Sequence, residues 1–376
     1  MTTRARPDTV LFAAVAAIVL LGLIILSSAS SVVGYEQFDD PNFFTKNQFL
    51  FGVVFGGSLL ALLSRVHYSV WRRHAVLLLI ITLGLLFIVF LPGLGVALGG
   101  ARRWISIGGF FLLQPSEVAK LTLLIYLATW LERRGETVRD FRHGVLPYLV
   151  LIGCVTFPIL LQPDLGTASI VILTGFVLLF VAGARLSHIT AVIVAGLSAL
   201  AVFVLMAPYR LARITTFLDP SSDPQGQGYH INQALLAIGS GGLFGLGLGR
   251  SVQKERFLPE VETDSIFAVY AEELGFILCL VLIVLYIVIA VRGYRIARNA
   301  PDPFAKYLAT GLTTWFVAQA LINMATMVAL LPLTGITLPF VSYGRSSIVM
   351  TLAGVGILLN ISRYSGSPEG RLARHH

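Results

Sequence analysis

The sequence predicts an all-α polytopic membrane protein with ten transmembrane helices and both termini in the cytoplasm. Of its 376 residues, 56% are hydrophobic and only 12% are charged, whereas a soluble domain carries about 25% charged residues. Apolar runs of about 18 residues or more recur from end to end, and this length crosses a bilayer as a helix. We therefore expect one integral membrane domain over residues 1–376 rather than several soluble domains.

The predicted spans follow the apolar runs in chain order. They cover residues 10–30, 47–64, 75–94, 115–132, 146–162, 165–183, 187–206, 265–291, 304–330 and 344–362. Cytoplasmic loops carry an excess of Lys and Arg. With the N-terminus inside, the inner segments hold 17 of the 27 basic residues, the outer segments hold 9, and Lys120 lies within a span. This split predicts cytoplasmic termini, including a tail over 363–376. It also attributes the net charge of +8 to membrane orientation rather than to a nucleic-acid partner.

One outer segment, residues 207–263, is far longer than a connection between helices needs. It holds five of the nine outer basic residues, among them Arg210, Arg213 and Lys254. Its INQALLAIG stretch predicts a short helix in the membrane surface. The glycine-rich GSGGLFGLGLG stretch lacks the strand–loop–helix setting of a nucleotide-binding loop. We expect these glycines to allow close backbone packing or re-entry.

The fourth predicted span contains an acid and a base. Glu117 and Lys120 are three residues apart, so they share one helical face. Ionisable groups within a span are costly and are candidates for function. Two interpretations stay open: a structural ion pair, or a Lys120 ammonium that meets an anionic substrate in an outer cavity.

Asp264 stands directly before the eighth predicted span, at the outer interface. Partial burial would raise its pKa toward the range of a general base. An Asp ahead of an apolar run is also typical of a helix N-cap. On spacing alone the cap is favoured. Glu272 and Glu273 follow about 12–14 Å deeper along the helix.

Other outer residues are candidates for binding. Arg103 precedes the fourth span and is interpreted as an interfacial anchor or a phosphate ligand. Arg210 and Arg213 invite the same phosphate interpretation. Asp164 lies in a tight turn and is able to cap the next helix. Ser342 lies in a Pro/Gly-rich segment that suits packing over a cavity.

Five motifs in this order resemble the SEDS family of shape, elongation, division and sporulation proteins, which includes FtsW and RodA. They are RRWISIGGFFLLQPSEVAKL, QPDLGTA, FLDPSSDPQGQGYHINQALLAIGSGG, LPEVETDSIFAVYAEELGF and LPLTGITLPFVSYGRSS. The resemblance covers nearly the whole chain. It is closer to FtsW, because GLGLGRSVQKERFLPE runs without the short insertion common in RodA.

The resemblance implies a peptidoglycan glycosyltransferase that polymerises lipid II with inversion on the outer face of the bacterial cytoplasmic membrane. It implies Asp264 as the catalytic base, with Lys120 oriented by Glu117. Arg103, Arg210, Arg213, Lys254, Asp164 and Ser342 complete the candidate substrate-binding residues. A pyrophosphate leaving group needs cations rather than an acid, which agrees with one Asp among basic residues.

The same resemblance implies a single-span transpeptidase partner, a class B penicillin-binding protein, alongside other divisome or elongasome membrane proteins. No cofactor is required by the sequence, and assistance by Mg²⁺ or Mn²⁺ stays open. The main alternative is a flippase for lipid-linked precursors, for which Glu272 and Glu273 are the principal evidence.

Two departures from the family pattern stand out. ETDSIF replaces HTDFIF, which introduces Glu262 and Ser265, and Arg345 replaces a glycine in SYGGSS.

Overall fold

The computed structural model describes residues 6–98, 101–107, 111–205, 215–217, 219 and 226–365, and it is dominated by α-helices. The first six helices are α1 (Thr9–Ala29), α2 (Ser31–Phe38), α3 (Phe43–Leu63), α4 (Ser69–Ile88), α5 (Pro115–Arg134) and α6 (Phe141–Leu161). Further along the described part of the chain lie α7 (Leu165–Val181), α8 (Leu186–Leu205), α9 (Gln227–Ser240), α10 (Ile266–Arg298), α11 (Pro303–Met327) and α12 (Arg345–Ser362). Short π-helical stretches lie within α3 at Gln48–Val54 and open α6 at Phe141–Val145, and a 3₁₀ turn follows α5 at Gly135–Arg139.

Each of the ten predicted spans coincides with one of these helices, and seven are long and apolar enough to cross a membrane: α1, α3, α4, α6, α10, α11 and α12. The α5 helix falls outside that set because it carries Glu117 and Lys120 inside and three more charges at its end. The α7 helix has 17 residues, which is just short of that length. The chain is therefore a multi-pass membrane protein, while the count of ten spans stays a prediction.

The prediction of an all-α chain is wrong at one place, the segment before α5. A three-stranded antiparallel sheet forms there from β1 (Gly95–Leu98), β2 (Ala101–Ile107) and β3 (Phe111–Leu113). Ile105 in the middle strand pairs with Gly95 on one side and Leu113 on the other. Isoleucines at alternate positions of the middle strand, Ile105 and Ile107, and the aromatic Trp104 favour a strand over a loop.

Helices α11 and α12 form the centre of the bundle. In their most apolar windows, 72% and 89% of the residues are buried, against 22% in α3 and α4. Glycines let neighbours approach closely: a Cβ on Gly356 would lie 2.7 Å from Leu60 O. Helix α11 packs against α5, α7 and α10. It therefore lies next to both segments that carry the predicted catalytic and binding residues.

Helix α10 is broken at Gly275, which has a φ of 76° and a ψ of 178°. The glycine-rich segment after α9 closes the break with backbone hydrogen bonds. Leu246 N donates to Glu272 O at 2.9 Å, and Phe276 N donates to Gly242 O at 3.0 Å. A Cβ on Gly245 would lie 2.2 Å from Glu273 O, so only glycine fits. The prediction that these glycines serve close backbone packing is confirmed.

Candidate active site

Asp264 lies in the turn that leads into α10, two residues before the first helical residue. Its side chain is partly buried, and Oδ1 accepts from Thr263 Oγ1 at 3.2 Å. The N-cap of α10 is Ser265, without a side-chain cap hydrogen bond, so the cap interpretation of Asp264 is not what the structure shows. The Asp264 carboxylate therefore does not serve to cap α10.

The surroundings of Asp264 disfavour its charged form. Burial is the largest cause, followed by the neighbouring Glu260 carboxylate, and together they raise the pKa of Asp264 to about 7 from 3.8. Glu262 acts in the same direction but more weakly. A carboxyl with a pKa near the working pH is suited to accept a proton from a hydroxyl group.

Two amide side chains of α11, four residues apart, connect the Asp264 turn to the rest of the site. Asn323 Nδ2 donates to Asp264 O at 2.8 Å and to Ile336 O at 2.7 Å. Gln319 Nε2 donates to Thr337 O at 2.9 Å, and both amides are fully buried. They hold the segment between α11 and α12, residues 331–344, against Asp264. A Cβ on Gly335 in that segment would lie 4.0 Å from Asp264 Oδ2.

The Lys120 ammonium is joined to the same amide face. Its Nζ lies 2.8 Å from Glu117 Oε1 and donates to Gln319 Oε1 at 2.9 Å. It also lies 5.0 Å from the centre of the Trp315 ring. Lys120 and Glu117 are each 4% exposed. The predicted pair is therefore present, and Gln319 and Asn323 connect it to the backbone of Asp264.

Sequence reasoning missed Gln319 and Asn323, although a signal was available. Amides four residues apart lie on one face of a helix, and polar side chains inside a membrane span usually find a specific partner. The spacing of the two amides does not reveal which groups they bind. Both amides bind carbonyl groups of the 331–344 segment, which follows a break in the helical pattern.

Three predicted binding residues have local structural partners. Asp164 Oδ1 accepts from Thr167 N at 2.9 Å, so it caps α7 as predicted. Ser342 is buried, and its Oγ accepts from Leu338 N at 2.8 Å. Arg103 donates to the carbonyl oxygens of the turn before α7, at 2.8 Å from Nε to Gln162 O and 2.6 Å from Nη2 to Pro163 O. Arg103 thus ties the sheet to that turn. The interpretation of Arg103 as an anchor at the membrane interface is incomplete, because backbone carbonyl groups also hold its guanidinium.

Lys254 lies away from Asp264, in a buried network at the break in α10. Its Nζ lies 2.9 Å from Glu273 Oε1 and donates to Ser28 Oγ of α1 at 2.9 Å. Glu272 accepts from Ser251 Oγ and, at 3.0 Å, from Val252 N. The deep acids of α10 therefore have partners, and these partners fasten the glycine-rich segment to the bundle.

We expect Lys254→Met to destabilise the fold, because it leaves the Glu273 carboxylate buried beside the other acid without its cation. Breaking a buried pair costs about 3–5 kcal/mol. The measurement is thermal unfolding of the purified protein in detergent. Arg256→Met is the matched control, since Arg256 pairs with Glu36 at the exposed surface and such pairs contribute little. Equal melting temperatures for the two variants would contradict a stabilising role for Lys254.

The two departures from the family motifs, at Glu262 and Arg345, both lie close to Tyr343. Tyr343 N donates to Glu262 O at 2.8 Å, and Arg345 opens α12 two residues later. Burial raises the pKa of the Tyr343 hydroxyl, while the Arg345 charge lowers it and the Glu262 charge raises it. Burial likewise raises the pKa of Glu262. The added acid and the added cation therefore act on the same small region beside Asp264.

Two predicted phosphate ligands, Arg210 and Arg213, lie outside the described residues. Within the described part of the chain, no group of three or more His, Cys, Asp or Glu side chains is placed to hold a metal ion.

These observations define a class of protein: a polytopic helical membrane protein in which a partly buried carboxyl, Asp264, is connected to a buried lysine, Lys120, through the α11 amides Gln319 and Asn323. A family model described as "Cell cycle protein", that of FtsW, RodA and SpoVE, matches residues 8–367. The chain belongs to this family.

Relatives and solved structures agree with that membership. Stage V sporulation protein E of Bacillus subtilis (strain 168) is 43% identical over 364 residues, covering 97% of this chain and 99% of that protein. A probable peptidoglycan glycosyltransferase FtsW of Geobacter sulfurreducens is 42% identical, covering 96% and 97%. The crystal structure of Thermus thermophilus RodA matches with a TM-score of 0.70 at 31% identity, over 96% and 98% of the chains. A chain of a peptidoglycan synthase complex that coordinates polymerization and crosslinking matches with a TM-score of 0.78 at 30% identity, over the same shares.

Proposed function

We propose that this chain is a peptidoglycan glycosyltransferase that polymerises lipid II into β-1,4 glycan strands on the outer face of the cytoplasmic membrane. The observation that carries the proposal is Asp264, a partly buried carboxyl whose pKa is raised to about 7. The names of the FtsW relatives support the same activity. In this proposal residues 1–376 form one membrane domain of ten spans with cytoplasmic termini. The 207–263 loop and Asp264 face outside, and the 363–376 tail lies inside.

In the proposed reaction, a hydroxyl oxygen of the acceptor sugar attacks the anomeric carbon of an α-linked lipid pyrophosphate. The new carbon–oxygen bond forms on the face opposite the leaving group, so the linkage inverts to β. The hydroxyl proton passes to Asp264, and the bond to the pyrophosphate oxygen breaks with its electron pair. The leaving group departs as a stable anion, so the protein needs to supply cations rather than an acid.

Lys120 is the proposed cation nearest to this chemistry, with Glu117 and Gln319 fixing its position. Arg210 and Arg213 are further proposed ligands of the pyrophosphate. Arg103, Asp164 and Ser342 shape the neighbouring turns, and they are proposed to act on substrate binding through those turns. Lys254 is buried with Glu273, so its contribution is proposed to be the anchoring of the glycine-rich segment. A divalent cation at the pyrophosphate stays compatible with these residues.

The proposed partner is a class B penicillin-binding protein, a single-span transpeptidase that cross-links the new strand. The match to a chain of a peptidoglycan synthase complex supports this proposal. The relatives named FtsW, at 41–42% identity, favour a division-type role over elongation. Other divisome or elongasome membrane proteins are further proposed partners.

The test uses purified full-length protein, with and without its transpeptidase, and labelled lipid II. Glycan polymer is expected with the wild-type chain and is not expected with Asp264→Ala. Flipping of lipid II in liposomes without any polymer would support the flippase alternative instead. That alternative rested on Glu272 and Glu273, whose burial is explained by Ser251 and Lys254.

A further inference from the structure

Helix α9, in the long loop, contacts the turn that holds Asp264 through His230. His230 Nε2 lies 2.6 Å from Ser265 Oγ. Ser265 is fully buried and is the residue directly after Asp264.

The turn before α10 is held mainly by its own polar groups. Ser265 Oγ donates to Pro259 O at 2.7 Å, and Ser265 N and Thr263 N each donate to Glu260 O at 3.1 Å. Glu260 has a φ of 53°, in the left-handed region that side-chain-bearing residues seldom adopt. Such a conformation persists only where its surroundings impose it. Ser265 makes two of these bonds, so its position matters for the whole turn.

The hydrogen bonds of Ser265 assign the proton on His230. A serine hydroxyl carries one hydrogen. Because that hydrogen is donated to Pro259 O, Nε2 of His230 must be the donor in the contact with Ser265. Burial lowers the pKa of His230, which favours a neutral ring. The contact with Ser265 then places the single ring proton on Nε2. His230 therefore acts as a fixed donor that keeps the Ser265 hydroxyl pointing at Pro259.

We propose that His230 is a positioning residue that holds the Asp264 turn in its reactive geometry by donating a hydrogen bond to Ser265. This inference rests on the proposed function, in which Asp264 is the base. His230 does not touch the substrate. It connects a helix of the long loop to the turn of the reacting carboxyl, and Asn323 of α11 holds the same turn by donating to Asp264 O.

The experiment is a double-mutant cycle on the full-length protein with its transpeptidase partner, using lipid II as the substrate. We expect His230→Leu and Ser265→Ala each to lower kcat by about tenfold, since small misplacement of a reacting group is costly. KM is expected to stay within about twofold. Because both residues act through one hydrogen bond, the double variant should be no slower than Ser265→Ala. His230→Gln, which keeps an N–H donor, is expected to recover part of the rate.

The control is His143→Leu, an exposed histidine in the π-helical turn that opens α6, which should match the wild type. The inference would be overturned if the rate losses of the two single variants multiplied in the double variant. It would also be overturned if a smaller amount of folded protein fully accounted for the loss of kcat. Wild-type kcat in His230→Leu would also overturn it, provided that Asp264→Asn is slower than the wild type by about 10²-fold or more. If Asp264→Asn makes polymer at the wild-type rate, the proposed function fails rather than this inference.

Discussion

Asp264→Asn is expected to reduce the rate of glycan polymerisation by about 10²–10⁴-fold, the usual contribution of a general base. The amide has the size of the carboxyl but does not accept a proton from the attacking hydroxyl. Binding of lipid II is expected to persist, because the cations that would meet its pyrophosphate are untouched. Polymer formation from labelled lipid II measures the first quantity, and pull-down of lipid II by the purified variant measures the second.

The same substitution is not expected to weaken the fold. The pKa of Asp264 is about 7 in the folded protein and 3.8 in a solvated carboxyl, so the folded chain holds the proton more tightly. Stability therefore falls as the pH rises from about 4 through 7, and a neutral Asn removes this cost. The melting temperature of Asp264→Asn at about pH 8 should equal or exceed that of the wild type. Glu262→Gln, a neutral neighbour, is the control and should remain active. Polymer formation by Asp264→Asn at the wild-type rate would refute its role as base.

Lys120→Met is expected to have the second largest effect, because it harms both stability and activity. Removing the ammonium leaves Glu117 ionised in a buried position, which costs about 3–5 kcal/mol. It also removes the proposed cation for the pyrophosphate. Thermal unfolding in detergent reports the first loss, and the polymerisation rate of the remaining folded protein reports the second.

The two losses are separated by the double variant Lys120→Met with Glu117→Gln. Both charges are then absent, so no unpaired ion is buried and stability should return. Activity should stay low if the Lys120 ammonium meets the substrate. Recovery of activity together with stability would show that Lys120 only neutralises Glu117, which is the structural interpretation that the sequence left open.

The positions of the helices were predictable because apolar runs of this length have few other solutions in a membrane. The Glu117–Lys120 pair was predictable from three-residue spacing. The sheet before α5 was missed because the short segment with Arg102 and Arg103 was interpreted as an interfacial anchor. The isoleucines at alternate positions, Ile105 and Ile107, and the Gly-Gly pairs that flank this segment in the sequence were the available signal.

The binding partners of the basic residues were the least predictable part of the candidate site. The sequence places Arg103 and Lys254 on the outer side, where both are candidates for phosphate. Their actual partners are carbonyl groups of a turn about 60 residues away and a carboxylate of α10. Such contacts depend on how distant segments meet, which residue spacing does not encode. Gln319 and Asn323 were missed for the same reason.

The pH dependence of kcat/KM for lipid II polymerisation tests the role of Asp264 most directly. Burial and Glu260 raise its pKa to about 7, and only the ionised carboxylate accepts a proton. The rate constant should therefore rise about tenfold per pH unit below about 7 and level off above it. The residual activity of Asp264→Asn should lack this rise. A wild-type profile that is flat from about pH 5 to 8, or the same rise in Asp264→Asn, would contradict Asp264 as the base.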